Sequence, residues 1–145
     1  MHHHLVLRVV AKLLLPFILL YALYVQWHGD YGPGGGFQAG VIFAVGFILY
    51  ALVFGVDALT RLLPRRFLLG GLAVGLLLYA GTGLVSLFQG LDYLDYNQLA
   101  ADSIHGQEWG ILLVELGVGI AVASAMITIF VAFATREPDI DDEDW

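Results

Sequence analysis

The stretch WHGDYGPGGGFQAG, Trp27–Gly40, lies between two long apolar segments and sets where the first ends and the second begins. Pro33 lacks a backbone N–H donor, and the three glycines 34–36 tolerate dihedral angles that other residues avoid. The helix that precedes this stretch therefore stops before it, and a second helix starts at Phe37. Gln38 then lies in the first turn of that helix, where unpaired N–H groups and the positive end of the helix dipole attract an anionic or polar neighbour.

On both sides of this stretch the apolar residues form runs close to the ~20 residues that a helix needs to cross a bilayer. Of the 145 residues, 59% are hydrophobic and only 13% are charged, which is not typical of a soluble domain. We therefore predict an all-α membrane protein, a bundle of four transmembrane helices, since these unalternating runs exclude a β-barrel. The predicted transmembrane domain covers residues 1–136, with spans at about 5–27, 37–57, 67–88 and 109–134.

The positions of the basic residues predict how the helices are oriented. Basic residues lie at the start of the first span, between the second and third spans, and after the fourth, whereas loops 28–36 and 89–108 contain neither Lys nor Arg. They are Arg8, Lys12, Arg61, Arg65, Arg66 and Arg136. By the positive-inside rule, both termini are cytoplasmic and these two loops face outside. Residues 137–145 then form an acidic cytoplasmic tail, which we interpret as solvated, with a docking role as the alternative.

Composition also limits the chemistry. The net charge of -7 argues against a nucleic-acid partner, and the absence of cysteine excludes disulfides and thiolate metal sites. The sequence has no nucleophile-elbow, metalloprotease or phosphate-loop motif, so we expect neither an enzyme nor a cofactor. The three histidines 2–4 are too weak a pattern to predict a metal site.

Glu115 is the one carboxylate inside the fourth apolar span. It follows Trp109 by six residues, which is about 9 Å along a helix at 1.5 Å per residue. Burial there disfavours the charged form of the carboxyl group, whereas a bound cation favours it, so protonation and cation binding oppose each other at this residue. The alternative is a neutral Glu115 that hydrogen-bonds a neighbouring helix and only specifies packing.

Four other ionisable residues are candidates for an ion or proton path beside Glu115, each with an alternative: Lys12, Asp57, His105 and Glu108. His105 and Glu108 share a stripe with Glu115 if the last helix begins near Asp102, which suits a proton entry track. Otherwise they are an exposed cap and a first-turn acid. Lys12 either extends to the cytoplasmic interface or pairs with Asp57, which has the right sign and lies on the same side.

Gly71 and Gly75 form a small-xxx-small pair in the third span. This spacing lets a second helix approach closely, because neither position carries a side chain. We therefore expect these two residues to pack against protein rather than lipid.

The stretch from residue 28 to residue 40 resembles the HGxxxPGGGFQxG signature of the B subunit of Mrp-type multisubunit cation/proton antiporters, the MnhB family. The resemblance extends over nearly the whole chain, which has a short N-terminus, four spans, a basic inner loop and a polar outer loop before the last helix. The positions that match the signature are His28, Gly29, Pro33, Gly34, Gly35, Gly36, Phe37, Gln38 and Gly40.

This resemblance implies a non-catalytic subunit of a hetero-oligomeric complex in a bacterial or archaeal inner membrane, which exchanges cytoplasmic Na+ for external H+. Its implied partners are the other antiporter subunits, the transported Na+ and H+, and the lipid bilayer. The signature residues would form an outer loop that docks onto neighbouring subunits, and Glu115 would face an ion or proton path. A purely structural scaffold subunit of a related complex is the alternative, and an intramembrane enzyme is disfavoured by the missing motifs.

Overall fold

A computed structural model describes residues 5–29, 34–97, 99–100 and 102–136. Within these residues all regular structure is helical, without strands, and four of the five helices are long and apolar enough to cross a membrane. The predicted all-α membrane protein with four transmembrane helices is therefore confirmed, while the orientation of the termini stays a prediction. The helices are α1 (Leu5–Trp27), α2 (Gly36–Phe54), α3 (Val56–Leu62), α4 (Arg65–Phe88) and α5 (Ser103–Ala134).

Several predicted features lie outside the described residues. They are the histidines 2–4, Pro33 of the signature and the acidic tail 137–145.

The second predicted span contains a helix break that the apolar pattern does not reveal. Helix α2 ends at Phe54, because Gly55 adopts a φ of 101°, a conformation that favours glycine. Helix α3 follows at once, and Pro64 then precedes the first turn of α4 with a φ of -64°. The connection between the second and third spans is therefore a short helix with Asp57 in its first turn and Arg61 in its last.

Helix α5 lies between α2 and α4. The long helices pack in the order α1, α2, α5, α4, and α5 makes its main contacts with α2 on one side and α4 on the other. Ala44, Ala51, Leu59, Leu68 and Ile127 form a buried apolar cluster where these helices meet. Any group on the inner faces of α5 is therefore close to α2 or α4.

Glycine permits both of these helix crossings. A Cβ built on Gly40 of α2 would lie 2.6 Å from the carbonyl oxygen of Gly119. A Cβ built on Gly75 of α4 would lie 2.5 Å from the carbonyl oxygen of Gly117. Backbone atoms pack directly in membrane helix pairs of this kind, where dispersion contacts replace the hydrophobic driving force.

The α4–α5 hairpin extends beyond the ends of α1 and α2. The start of α2 lies beside Glu115, and Tyr79 of α4 lies beside Gly117, so α4 continues for nine more residues to Phe88. At 1.5 Å per residue, the hairpin therefore extends roughly 10 Å past the α1–α2 connection. The connection between α1 and α2 lies beside the hairpin and not at its tip.

Candidate functional site

The carboxyl group of Glu115 lies against the glycine-rich stretch between α1 and α2. A Cβ built on Gly29 would lie 3.0 Å from both carboxylate oxygens, and a Cβ on Gly35 would lie 3.0 Å from Oε1. The two glycines are also close to each other, since the same Cβ position on Gly29 is 3.1 Å from the Cα of Gly35. The carboxyl group of Glu115 therefore lies where the two described ends of this stretch converge.

Gly35 has a conformation that fits this position. Its φ of 130° favours glycine, and it is the N-cap residue of α2. Because Gly35 has no side chain, it makes no side-chain hydrogen bond that would cap the helix. The Glu115 carboxyl group lies beside this helix start, where a negative charge is stabilised by the dipole and by the unpaired N–H groups of the first turn.

The backbones of α2 and α5 are in contact next to the carboxyl group. A Cβ on Gly36 would overlap the backbone carbonyl of Glu115, and one turn further Gly40 lies against Gly119. The pairs 36/40 and 115/119 are both four residues apart, so the two helices are in register over one full turn. Gly36 and Gly40 are signature positions whose small-xxx-small spacing also indicates a helix contact, a signal that the prediction from sequence missed.

Gln26 is a second polar residue at the site that sequence reasoning missed. Its side chain is buried, and its Oε1 lies 2.5 Å from the position of a Cβ on Gly119. A polar amide near the end of an apolar span was the available signal, because such groups in membrane proteins usually face protein. An amide therefore lies one helical turn from the Glu115 backbone on the same side of α5.

The signature residues fall into two groups in the structure. The described glycines face protein: Gly34 lies near the carbonyl oxygen of Val25, and the others lie against α5. In contrast, His28, Phe37 and Gln38 are exposed, and 63% of the accessible surface of Phe37 remains uncovered. The ring of His28 stacks on Tyr24, with 4.8 Å between the ring centroids. Gly29, Gly35 and Gly36 therefore lie beside Glu115, whereas the side chains of His28, Phe37 and Gln38 are exposed.

His105 and Glu108 lie on α5 with Glu115, but the structure does not bring the three side chains together. His105 and Glu108 are both exposed, and Nδ1 of His105 lies 3.3 Å from Oδ2 of Asp102. Ten residues separate His105 from Glu115, which is about 15 Å along the helix axis. Their exposure agrees with the alternative interpretation, but Asp102 is the N-cap of α5 and Glu108 lies beyond its first turn. A proton entry track along this helix stays a prediction.

Lys12 and Asp57 are not paired. The Lys12 ammonium lies 5.6 Å from the centroid of the Phe54 ring, and the Arg8 guanidinium lies 5.9 Å from the same centroid. Asp57 is exposed in the first turn of α3, where its charge is favourable for the helix dipole. Within the described residues no ion pair joins the two, and Lys12 has a cation–π partner instead.

Gly71 and Gly75 lie at the contact between α4 and α5. Gly71 lies against the side chain of Ser124, and Gly75 lies against the backbone of Gly117 and Ala121. The second close helix contact thus begins only two residues after Glu115 along α5. Both neighbours of α5 therefore hold the segment that carries the carboxyl group.

Together, four membrane-spanning helices and a carboxyl group held beneath an irregular glycine segment are typical of the membrane part of an ion transporter. The family model described as a domain related to the MnhB subunit of Na+/H+ antiporter matches residues 6–128. The chain belongs to the MnhB family, and the resemblance seen in its signature is confirmed.

Two similar relatives are the proteins assigned as antiporter subunit mnhB2 in Staphylococcus aureus strains Newman and COL. Each is 33% identical to this chain over 132 residues, which covers 89% of this chain and 93% of the relative. Family and fold together define a multi-pass protein of the cell membrane.

Proposed function

We propose that this chain is a non-catalytic subunit of a multisubunit Na+/H+ antiporter, and that Glu115 takes part in the movement of ions or protons. Membership of the MnhB family supports the subunit role. The complex exchanges cytoplasmic Na+ for external H+, and the other antiporter subunits are the partners of this chain.

The observation that carries the proposal is the position of the Glu115 carboxyl group beside Gly29 and Gly35. A charged carboxylate at the start of α2 is stabilised by the helix dipole, typically by about 0.3–1 kcal/mol and up to about 2 kcal/mol when partly buried. Protonation removes this attraction, so the contact between the carboxyl group and the start of α2 is stronger when Glu115 is ionised. A proton or a cation that binds at Glu115 therefore changes how strongly the carboxyl group attracts the start of α2.

The matched pair Glu115→Gln and Glu108→Gln tests this role. Both variants remove one carboxylate from α5, but Glu108 is exposed and lies about 10 Å further along the helix. We expect Glu115→Gln to abolish most Na+-dependent dissipation of the pH gradient in everted vesicles while the complex still assembles. Glu108→Gln should keep near-normal antiport. Near-normal antiport in both variants would remove Glu115 from the mechanism.

A structural scaffold is the second candidate function, favoured by the exposed face of the signature. Phe37 is 63% exposed at the start of α2, and His28 and Gln38 lie near it in sequence and are also exposed. An exposed aromatic residue flanked by polar groups is a suitable anchor for a partner subunit. If scaffolding were the whole function, Phe37→Ala would reduce the amount of complex, whereas Glu115→Gln would leave both assembly and antiport intact.

A further inference from the structure

An apolar groove of about 530 Å³ lies between α2 and α4, with α5 as its floor. It exists because α2 and α4 both pack on α5 and make no comparable contact with each other within the described residues. Gly40, Gly119 and Ala123 line the groove, and none of them has a side chain larger than a methyl group.

The length of the groove indicates what occupies it. Along α5 its lining runs from Leu116 to Ile127, which is about 17 Å at 1.5 Å per residue. The hydrocarbon core of a bilayer is about 30 Å thick, so the lining along α5 is about half the length that a membrane-crossing partner helix would contact. A single acyl chain extending from one membrane surface matches this length.

Basic residues surround one end of the groove. Leu63 and Phe67 line that end, and the segment between them contains Arg65 and Arg66, with Arg61 two residues before Leu63. All three arginines are exposed, and in the described part of the chain none of them takes part in an ion pair. Each cation near a membrane surface attracts anionic lipid by about 1 kcal/mol.

We propose that this groove binds one acyl chain of an anionic phospholipid, whose phosphate group lies at Arg61, Arg65 and Arg66. The length of the groove selects an acyl chain, and the charge at its end selects an anionic headgroup. The groove begins at Leu116, next to Glu115, and shares Gln26 with the candidate site, whereas the proposed phosphate position lies at its opposite end. The proposal does not depend on the role of Glu115 in transport.

Photocrosslinking tests the proposal. The complex that contains the full chain is purified in mild detergent and mixed with phosphatidylglycerol or phosphatidylcholine, each with a photoactivatable group halfway along one acyl chain. After irradiation, crosslinked residues are identified by mass spectrometry. We expect phosphatidylglycerol to crosslink within residues 116–127 of α5 and at Phe67 or Phe43, and phosphatidylcholine to crosslink there several-fold less.

Two matched pairs of variants separate the acyl chain from the headgroup. Ile120 lines the groove and Ile129 of the same helix does not, so Ile120→Phe should reduce crosslinking in the groove several-fold while Ile129→Phe leaves it unchanged. Arg66→Gln should reduce the preference for phosphatidylglycerol by about fivefold, the factor that corresponds to about 1 kcal/mol, while Arg136→Gln should not. Leu116→Phe provides a second groove-filling variant if Ile120→Phe does not fold.

Three results would overturn the proposal. One is equal crosslinking of both lipids in the groove. Another is crosslinking that neither groove-filling variant reduces. The third is the loss of another subunit from the complex in Ile120→Phe without any change in lipid crosslinking, which would identify a partner helix as the occupant.

Discussion

Gly35 is the residue whose backbone shapes the site at Glu115 most directly. Its φ of 130° is strained for any other residue, and a side chain there would meet the Glu115 carboxyl group. Gly55 provides a natural comparison, because its φ of 101° is similarly restricted and no atom lies within 4 Å of its Cβ position. At both positions a residue with a Cβ would be strained, and only at Gly35 would that Cβ also meet Glu115.

We therefore predict that Gly35→Ala and Gly55→Ala both lower the free energy of unfolding by about 1–3 kcal/mol, through strain. Only Gly35→Ala should also lower antiport, since its methyl group displaces the carboxyl group. Thermal unfolding of the purified complex measures the first effect, and vesicle assays measure the second. Normal antiport in assembled Gly35→Ala would contradict the proposed link between the glycine segment and Glu115.

Glu115 and the glycine stretch were both identifiable from the sequence, but only as two separate features. Nearly eighty residues separate Gly36 from Glu115, and only the register of α2 on α5 brings them together. Gln26 had a signal in the sequence as a polar amide near the end of an apolar span, but its contact with Gly119 of α5 depends on the same packing. Local patterns identify unusual residues, whereas their contacts depend on packing between distant segments.

Among the helices, the contact between α2 and α5 depends on the absence of a side chain at Gly40. We predict that Gly40→Ala lowers the free energy of unfolding by about 1–3 kcal/mol, because the methyl group would overlap the Gly119 carbonyl. Gly70→Ala is the matched control on α4, since nothing lies within 4 Å of its Cβ position, and it should be neutral or stabilising by up to about 1 kcal/mol. Equal unfolding temperatures for the two variants would show that the contact is looser than described.

The connection between α4 and α5 is held by Tyr96, whose ring packs on Gly110 and whose carbonyl oxygen lies near Gly106. Burial raises the pKa of Tyr96 above its ordinary value, and the nearby Tyr79 and Tyr93 add to this rise. The unfolded connection therefore loses its phenolic proton at a lower pH than the folded one. The stability that this residue contributes is fully present below about pH 10 and is lost as the pH rises through the folded pKa.

We predict that the unfolding temperature falls more steeply above about pH 10 in the wild-type protein than in Tyr96→Phe, which has no proton to lose at this position. Thermal unfolding between about pH 9 and pH 11 measures the difference. Gly110→Leu, which displaces the ring of Tyr96, should also reduce the pH dependence. Parallel curves for the wild type and Tyr96→Phe would show that the phenol ionises as freely in the folded protein as in the unfolded chain.

The four long helices were predictable because a long apolar run in a membrane has few alternatives to a helical conformation. Helix ends were less predictable. Gly55 is hidden within an apolar run, so hydropathy did not reveal the break before α3. Helix α5 begins at Ser103, six residues before the predicted span, because a helix supported by Tyr96 continues past the apolar limit. The order α1, α2, α5, α4 could not be derived from amphipathic faces, because lipid-facing and protein-facing positions are equally apolar here.

For the whole molecule, the orientation in the membrane follows from the basic residues and is directly testable. The chain contains no cysteine, so single cysteines at Asn97 and Thr135 report on opposite ends of the bundle. We predict that an impermeant thiol reagent labels Asn97→Cys but not Thr135→Cys in right-side-out vesicles. Everted vesicles should give the reverse pattern, and labelling of Thr135→Cys from outside would mean that the orientation is inverted.

The most direct test of the account is the rate of Na+-dependent dissipation of the pH gradient per assembled complex in everted vesicles that carry Glu115→Gln. This substitution keeps the size and shape of the side chain, replaces one accepting oxygen with an NH2 donor, and removes the negative charge and the ability to exchange a proton. The account predicts a loss of at least about tenfold, equivalent to about 1.4 kcal/mol, with wild-type amounts of complex. A wild-type rate per complex would contradict it and leave the glycine segment a purely structural role.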